Sequence, residues 1–148
     1  MTASQIRPLT ICVFRRNDRI LVIEAYDPVK EQTFYRPLGG GINFGETSLA
    51  ALVREIHEEI AAEITDLEYI GTLENIFIYN GAVGHEIVQV YDGRFVDDAL
   101  YAASSIRGVE SNCEPMRIVW KQLDSFSSQL PLYPGGLLEL LQAKRREA

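Results

Sequence analysis

The chain is poor in the residues that build disulfide frameworks and zinc sites. Its 148 residues include only two cysteines, Cys12 and Cys113, and two histidines. The cysteines form no CxxC pair and are too few to staple a small fold, so we interpret them as free thiols. No cluster of histidine and cysteine is present that would suit zinc. This usage fits a reducing compartment, and we expect a cytoplasmic protein.

The chain also lacks an excess of positive charge. Lysine and arginine number 14 against 21 aspartates and glutamates, and the formal net charge at pH 7 is −7. A general nucleic-acid binder needs a basic face, so we expect no nucleic-acid polymer as a partner. A nucleotide substrate stays compatible with this charge, because a bound metal ion can supply positive charge locally.

Long apolar runs are absent as well. The apolar run near the N-terminus is short and is broken by Arg15 and Arg16, which fits neither a signal peptide nor a membrane span. Hydrophobic residues make up 47% of the chain, enough for one core without disulfides. We therefore expect a single domain over residues 1–148 and no membrane partner. A homodimer is left open.

The chain does contain short apolar segments between turn signals, and these predict strands. The predicted strands are residues 7–15, 20–25, 67–70, 73–79, 87–96 and 116–123. The turn signal at residues 16–19 and the Asn80-Gly81 pair predict hairpins. A helix from Thr47 at least to Ile60, and another over 137–144, complete the elements. This pattern indicates an α+β fold, an α/β/α sandwich with a mixed, largely antiparallel sheet.

The first predicted helix follows a glycine-rich segment and carries two distinct faces. Gly39, Gly40 and Gly41 predict a loop, and Thr47 or Ser48 can cap the helix. Apolar residues at spacings of three and four predict a stripe that faces a core. They are Leu49, Leu52, Val53, Ile56 and Ile60.

The second face of this helix is crowded with carboxylates. Glu55, Glu58 and Glu59 stand at i, i+3 and i+4 and are therefore neighbours, and Glu46 can point toward the same place. Two unit charges about 6 Å apart repel by about 0.7 kcal/mol in water and by about 3 kcal/mol at an effective dielectric near 20. A solvated acidic face tolerates this repulsion, whereas a half-buried one needs a cation. Carboxylate oxygens are hard ligands that suit Mg²⁺ or Mn²⁺.

The glycine segment helps to choose between a solvated face and a metal site. Gly40 and Gly45 have the spacing of the glycines in a P-loop, but Glu46 stands where a P-loop keeps its lysine. A glutamate there repels phosphate unless a metal ion lies between them. The P-loop interpretation fails, and a metal-bridged phosphate site is favoured.

The same residues carry a family resemblance. The pattern is Gly40-x5-Glu46-x7-Arg54-Glu55-Ile56-His57-Glu58-Glu59, which resembles the Nudix box at each of its charged or glycine positions up to Glu59. The family pattern continues with a glycine and an apolar residue, where this chain has Ala61 and Ala62. Glycine at the first position normally helps to end the helix, so alanine predicts a helix that runs on toward Ile64.

The resemblance implies a divalent-metal-dependent hydrolase that cleaves the diphosphate bond of a nucleoside diphosphate linked to another moiety. It implies that Glu55, Glu58 and Glu59 act as metal ligands and catalytic groups. Glu46 is expected to join the metal shell or to orient it. Arg54 is expected to hold a glutamate in place by an ion pair. A small nucleotide-like diphosphate is the expected substrate, with Mg²⁺ or Mn²⁺ as cofactor.

The general base varies within the family, and a helix glutamate such as Glu55 is one candidate. Carboxylates elsewhere, at Glu86, Glu110 and Glu114, are others. We favour Glu86, which begins a long strand beside a predicted hairpin. Weaker expectations place further residues at the substrate. They are Arg36, Gly40, Gly41 and His85.

Two further hypotheses belong to other classes. One is a catalytically inactive Nudix-fold module that binds or senses a nucleotide, which the complete glutamate set disfavours. The other is a purely structural acidic helix. Specificity must come from the loops, so the sequence leaves open whether ADP-ribose, an oxidised nucleoside triphosphate, a dinucleoside polyphosphate or a nucleotide sugar is cut.

Overall fold

A computed structural model describes residues 4–110 and 112–147. The strands are β1 Ile6–Val13, β2 Arg15–Arg16, β3 Arg19–Asp27, β4 Gln32–Arg36, β5 Leu38–Gly41, β6 Ile64–Tyr79, β7 Ala82–Phe95, β8 Ser105–Val109 and β9 Pro115–Gln122. The helices are α1 Ser48–Ile60, α2 Ala99–Ala102 and α3 Leu137–Glu147, with a 3-10 turn at Leu123–Ser125. None of the described helices is long and apolar enough to cross a membrane.

The strands form two sheets. The first has the order β5-β1-β7-β6, and its β1 and β7 are parallel while the other pairs are antiparallel. The second has the order β2-β3-β9-β8, with β4 pairing alongside β3, and all its pairs are antiparallel. The α+β class is confirmed, but the single sheet that we expected is two sheets, one mixed and one antiparallel.

The two sheets share two core clusters, one under each long helix. Leu52 and Ile56 of α1 pack in a cluster with Cys12 of β1 and Ile118 of β9. The cluster under α3 contains Leu137 and Leu141 together with other strand residues such as Ile11 and Val22. Strand side chains alternate between faces, so each sheet presents one face to α1 and the other to α3. The predicted α/β/α sandwich follows from this alternation.

The two predicted hairpins differ in outcome. Asn80 and Gly81 both have positive φ, 50° and 80°, and they connect β6 to β7 as a two-residue turn. The two strands expected over 67–70 and 73–79 are one strand, β6, with register irregularities before Glu68 and before Gly71. The prediction of an N-terminal hairpin is mostly wrong. Only the short strand Arg15–Arg16 pairs with β3, whereas β1 pairs with β5 and β7 in the other sheet.

The glycine triplet is a strand and not the loop that we expected. Gly39, Gly40 and Gly41 pair with β1 in register, opposite Ile11, Thr10 and Leu9. A Cβ on Gly39 would stand 2.0 Å from the backbone oxygen of Thr10, so this position excludes a side chain. Glycine at Gly39 and Gly40 therefore allows the backbone of β5 to approach Thr10 and Glu55 closely. None of the three glycines has a side chain on either face of the sheet.

The start of α1 agrees with the sequence, but its apolar stripe is narrower than predicted. Thr47 is the N-cap, and its side chain accepts a hydrogen bond from the Ala50 N–H at 3.1 Å. Leu49 and Val53 are 44% and 45% exposed, so only part of the predicted stripe faces the core. Ala51, which was outside the predicted stripe, is fully buried.

The end of α1 corrects the expectation that alanine lets the helix continue. The helix stops at Ile60, and Ala61 takes the left-handed conformation, with φ 54° and ψ 35°. Its N–H donates to the His57 carbonyl, and β6 begins three residues later. The chain turns at Ala61 to enter β6, although alanine favours a right-handed helical conformation. The left-handed conformation carries a steric penalty for alanine that glycine would avoid.

We predict that Ala61→Gly stabilises the protein by about 0.5–1 kcal/mol, because glycine adopts a left-handed conformation without the Cβ clash. Urea unfolding followed by circular dichroism measures the difference. Ala50→Gly, at an exposed position inside the same helix, should instead destabilise by about 0.5–1 kcal/mol. Equal effects of the two substitutions would contradict the prediction.

Candidate active site

Arg54 of α1 lies at the centre of the candidate site. Its Nε donates to Glu46 Oε2 at 2.8 Å, and its Nη2 donates to Glu46 Oε1 at 2.9 Å. This bidentate pair joins the loop before the helix to the helix itself. Hydrogen bonds from Arg54, together with the Asn43 N–H, lower the pKa of Glu46 to about 2. Both oxygens of Glu46 are engaged in these contacts.

The remaining contacts of Arg54 reach the other glutamates and the glycine strand. Nη1 donates to Glu55 Oε1 at 3.0 Å and to Glu58 Oε2 at 3.2 Å. Nη2 also donates to the Gly41 carbonyl at 3.0 Å. Two carboxylates therefore converge on one guanidinium nitrogen, and the helix is tied to the free edge of β5.

Gly40 allows the helix carboxylate to lie against the strand. A Cβ on Gly40 would stand 2.3 Å from the carboxyl carbon of Glu55. No real Cβ tolerates that distance from a heavy atom, so any other residue at this position would displace Glu55. The glycine that the motif analysis singled out thus makes room for a carboxylate.

Glu59 is the buried member of the set, at 8% exposure. Its Oε1 accepts a hydrogen bond from the Gly39 N–H at 3.0 Å. Desolvation is the main cause that raises the pKa of Glu59 to about 8, while the Arg36 charge opposes this rise and the Glu55 and Glu110 charges add to it. A carboxylate is thus held in an environment that favours its neutral form in the absence of a cation.

Glu110, one of the candidates for the general base, lies next to the site. It follows β8 and forms an ion pair with Arg36 at 3.4 Å, with both side chains about 40% exposed. The hydrogen bonds between its backbone and residues Cys113 and Glu114 form the turn that leads to β9. The pairing of β8 with β9 brings Glu110 close to α1. No pattern of residue spacing in the sequence could have predicted this proximity.

Glu86 and His85, two of the predicted site residues, lie on opposite faces of β7. Glu86 accepts a hydrogen bond from Asn75 Nδ2 at 3.3 Å and is the register partner of Arg7. It lies on the face toward α3, whereas the glutamates of α1 lie on the other side of the sheet. His85 is the register partner of Ile6 and Ile76, on the face toward α1.

A family model for the NUDIX domain matches residues 6–104, about two thirds of the chain. The chain belongs to the Nudix family. The resemblance that the box at residues 40–59 indicated is thereby confirmed. Glu46, Arg54 and the three helix glutamates all lie within the matched segment.

Several known proteins resemble this Nudix chain. A 68-residue segment is 37% identical to the NAD-capped RNA hydrolase NudC of Pseudomonas putida (strain W619), and a match of the same length is 34% identical to NudC of Pseudomonas aeruginosa (strain LESB58). Each match covers 46% of this chain but only 24% of the relative. The chain thus spans about a quarter of the length of these relatives.

Solved structures share the fold over nearly the whole chain. The crystal structure of a MutT NUDIX hydrolase from Burkholderia pseudomallei has a TM-score of 0.65 at 24% identity, covering 94% of this chain and 98% of that one. The E. coli ORF135 protein has a TM-score of 0.63 at 22% identity, covering 97% and 94% of the two chains. These likenesses agree with the two-sheet sandwich described above.

The donor atoms of the Nudix helix suit a hard divalent cation, although they are not gathered into a ready-made site. Within residues 4–110 and 112–147, no three Asp, Glu, His or Cys side chains are grouped closely enough to hold a metal ion. Arg54 supplies the physical reason, because it occupies oxygens of Glu46, Glu55 and Glu58. The oxygen-only donor set and the shared contact of Glu55 and Glu58 fit Mg²⁺ or Mn²⁺.

Two surface cavities lie elsewhere. They have volumes of about 340 and about 710 Å³ and share Arg15, Asn17 and Asp92 in their walls. Both are at the end of β1 away from the glycine strand, and none of the predicted site residues lines them. The candidate active site at the helix carboxylates is therefore separate from both cavities.

We predict that the metal-free protein loses stability as the pH rises from about 4.5 to about 8. Over that range the unfolded chain releases the Glu59 proton while the folded protein, with its raised pKa, retains it. Glu59→Gln removes this dependence and should stabilise the protein by roughly 2–4 kcal/mol at pH 8, with little effect at pH 5. Urea unfolding in EDTA at both pH values measures the effect.

Glu58→Gln is the matched control, because its side chain is 54% exposed. It should change the stability by less than about 0.5 kcal/mol at either pH. If Glu59→Gln shows no gain between pH 5 and pH 8 relative to this control, Glu59 is ionised in the folded protein and the burial argument is wrong.

Proposed function

We propose that this protein is a divalent-metal-dependent hydrolase that cleaves a diphosphate bond in a nucleoside diphosphate linked to another moiety, by attack of water at phosphorus. The observation that carries the proposal is the meeting of Glu55 and Glu58 at one Arg54 nitrogen, beside buried Glu59 and the three glycines of β5. Family membership and the names of the NudC relatives, hydrolases of NAD-capped RNA, support this reaction class.

Glu55, Glu58 and Glu59 would hold Mg²⁺ or Mn²⁺. Such an ion, when bound, neutralises phosphate oxygens and lowers the pKa of a coordinated water. The net charge of −7 and the acidic helix make a cation necessary for any phosphate to approach this face. The desolvation of Glu59 adds support, because a nearby cation would stabilise its ionised form.

Other residues of the site keep these carboxylates in position. Glu46 orients Arg54 through the bidentate pair, and Arg54 in turn holds Glu55 and Glu58 against the edge of β5. These contacts support the orienting role for Glu46, one of the two roles that the resemblance implies. Preorganised carboxylates matter here because phosphoryl transfer depends mainly on positioning and charge stabilisation.

The general base is proposed among three carboxylates. Glu86, our first choice from the sequence, lies on the α3 side of the sheet and hydrogen-bonds Asn75. Glu110 lies beside Glu59 and Arg36 on the α1 side. Glu55 is the candidate on the helix itself. Of these, Glu110 combines a position near the helix carboxylates with solvent access for water, since its side chain is 42% exposed.

Substrate contacts are proposed at the strand that faces the helix. Gly40 and Gly41 offer backbone that a diphosphate can approach, and Arg36 can turn from Glu110 toward a phosphate. His85 lies among exposed apolar residues of β6 and β7, where it can contact the group linked to the diphosphate.

A substrate panel with Mg²⁺ tests the function. ADP-ribose, nucleotide sugars, dinucleoside polyphosphates, NAD and oxidised nucleoside triphosphates are incubated with the protein, and nucleoside monophosphate or phosphate release is measured. We expect turnover of at least one compound. Glu58→Gln and Glu59→Gln should each lower kcat roughly 100-fold or more, because each removes an anionic ligand. Glu63→Gln, an exposed glutamate just beyond the helix, should change it less than about two-fold.

The same assay separates the candidates for the base. Glu86→Gln or Glu110→Gln should lower kcat at saturating metal by roughly 100-fold for the residue that takes the proton. An unchanged kcat removes the substituted residue from the mechanism. Tight binding of a nucleotide without turnover of any compound would instead indicate a nucleotide sensor.

The close contact at Gly40 gives a prediction for metal affinity. Gly40→Ala should weaken Mn²⁺ binding roughly 10-fold or more, because the new Cβ displaces the Glu55 carboxylate. Gly41→Ala is the control, since its nearest neighbour would stand at an ordinary 3.8 Å, and it should leave Mn²⁺ affinity within about two-fold. Electron paramagnetic resonance of free Mn²⁺ measures both. Equal affinities would show that Glu55 is not a metal ligand.

A further inference from the structure

Arg7 lies beside the glycine strand, on the face opposite to Glu55. It is the second residue of β1 and is exposed, and its Nη2 is 3.8 Å from the position where a Cβ on Gly41 would stand. The register of β1 against β5 places Leu9 opposite Gly41, so Arg7 and Gly41 belong to the α3 face. Gly40, one residue earlier, has the Glu55 carboxyl against its α1 face. The strand thus has a carboxylate on one side and a guanidinium on the other.

The other two arginines near the site are already engaged. Arg54 makes all its contacts with Glu46, Glu55, Glu58 and the Gly41 carbonyl. Arg36 forms its ion pair with Glu110 and lies on the Glu59 side of the site, so a phosphate on the α3 side of β5 is beyond its face. Withdrawing Arg54 from these bonds would leave two or three carboxylates uncompensated, so Arg54 is a poor ligand for substrate phosphate.

The Arg7 side chain, in contrast, forms no hydrogen bond or ion pair within the described part of the chain. An acidic residue is nevertheless its direct neighbour, since Glu86 is its register partner on β7 and shares its face. Glu86 is hydrogen-bonded to Asn75 instead, and the Arg7 guanidinium turns toward the glycine strand. An arginine that lies next to a carboxylate but extends toward bare backbone is available for an anion.

We infer that Arg7 binds a phosphate of the substrate from the α3 side of β5, while the helix glutamates and their metal address the diphosphate from the α1 side. The inference rests on the proposed function and requires that the two linked phosphates of the substrate reach past Gly41, from one face of β5 to the other. No side chain of Gly39, Gly40 or Gly41 blocks this approach, although the Gly39 N–H is bonded to Glu59 and the Gly41 carbonyl to Arg54. Arg7 is then a substrate-binding residue supplied by a strand outside the Nudix box.

The test compares Arg7→Gln, Arg7→Lys and Arg19→Gln in the full chain. Arg19 is an exposed strand arginine at the other end of the sheets, so its substitution changes the net charge by the same amount. Two readouts are used: KM and kcat on whichever panel compound is turned over, and calorimetric binding of α,β-methylene ADP in the presence of Mg²⁺. Mn²⁺ affinity is measured on all variants to establish that the metal site is intact.

Arg7→Gln should raise KM and weaken α,β-methylene ADP binding by roughly 10- to 100-fold, the range for loss of a charge-assisted hydrogen-bonded pair. Mn²⁺ affinity should stay within about two-fold. Arg7→Lys should recover part of the affinity, and Arg19→Gln should match the wild type within about two-fold. These results support the inference.

If Arg7→Gln has the KM and the nucleotide affinity of the wild type, Arg7 does not bind the substrate phosphate and the inference is wrong. The proposed hydrolase function is unaffected by that result. The inference also fails if Arg19→Gln weakens binding as much as Arg7→Gln, because the effect is then only net charge, or if the wild type binds no α,β-methylene ADP. If no panel compound is turned over but α,β-methylene ADP binds in an Arg7-dependent way, the hydrolase proposal fails and the Arg7 site holds.

Discussion

The ion-pair network of Arg54 is the interaction on which the site depends. One guanidinium bonds three carboxylates and one backbone carbonyl, and these belong to the loop before α1, to α1 itself and to β5. Without Arg54, Glu55 and Glu58 would repel one another and Glu46, and the edge of β5 would lose its link to the helix. The planar, always charged guanidinium meets these partners in directions that a lysine ammonium could not match. Arg54 thereby holds the loop before α1, the helix and the edge of β5 in one arrangement.

The burial of Glu59 sets the second constraint. The helix needs an apolar side to anchor it, but Leu49 and Val53 are about half exposed, and the buried side includes a carboxylate instead. The Gly39 N–H and the nearby Arg36 charge only partly offset the desolvation of Glu59. The folded protein therefore contains a carboxylate whose ionised form is destabilised by its burial. Burial of this carboxylate therefore lowers the stability of the folded protein whenever Glu59 is ionised.

Sequence reasoning worked where the determinants are local. The cap at Thr47, the Asn80-Gly81 turn and the shared contact of Glu55 and Glu58 with Arg54 all depend on residues within one or two turns of chain. It failed where the partner is distant. The glycine triplet predicts a loop because glycine usually marks turns, whereas here Gly39 and Gly40 avoid collisions with Thr10 and Glu55. Likewise Ala61 ends α1 in a left-handed conformation because β6 must begin at Ile64, a requirement invisible in the local propensity.

The same distinction explains why the Nudix box indicates a chemistry but leaves the substrate open. The box supplies only the α1 side of β5, where Glu55, Glu58 and Glu59 lie in one helix and their spacing is fixed. Sheet pairing alone determines what lies on the α3 side. There β1 contributes Arg7 and β7 contributes Glu86, from positions about 80 residues apart in sequence. Substrate specificity therefore depends on residues that no local motif contains.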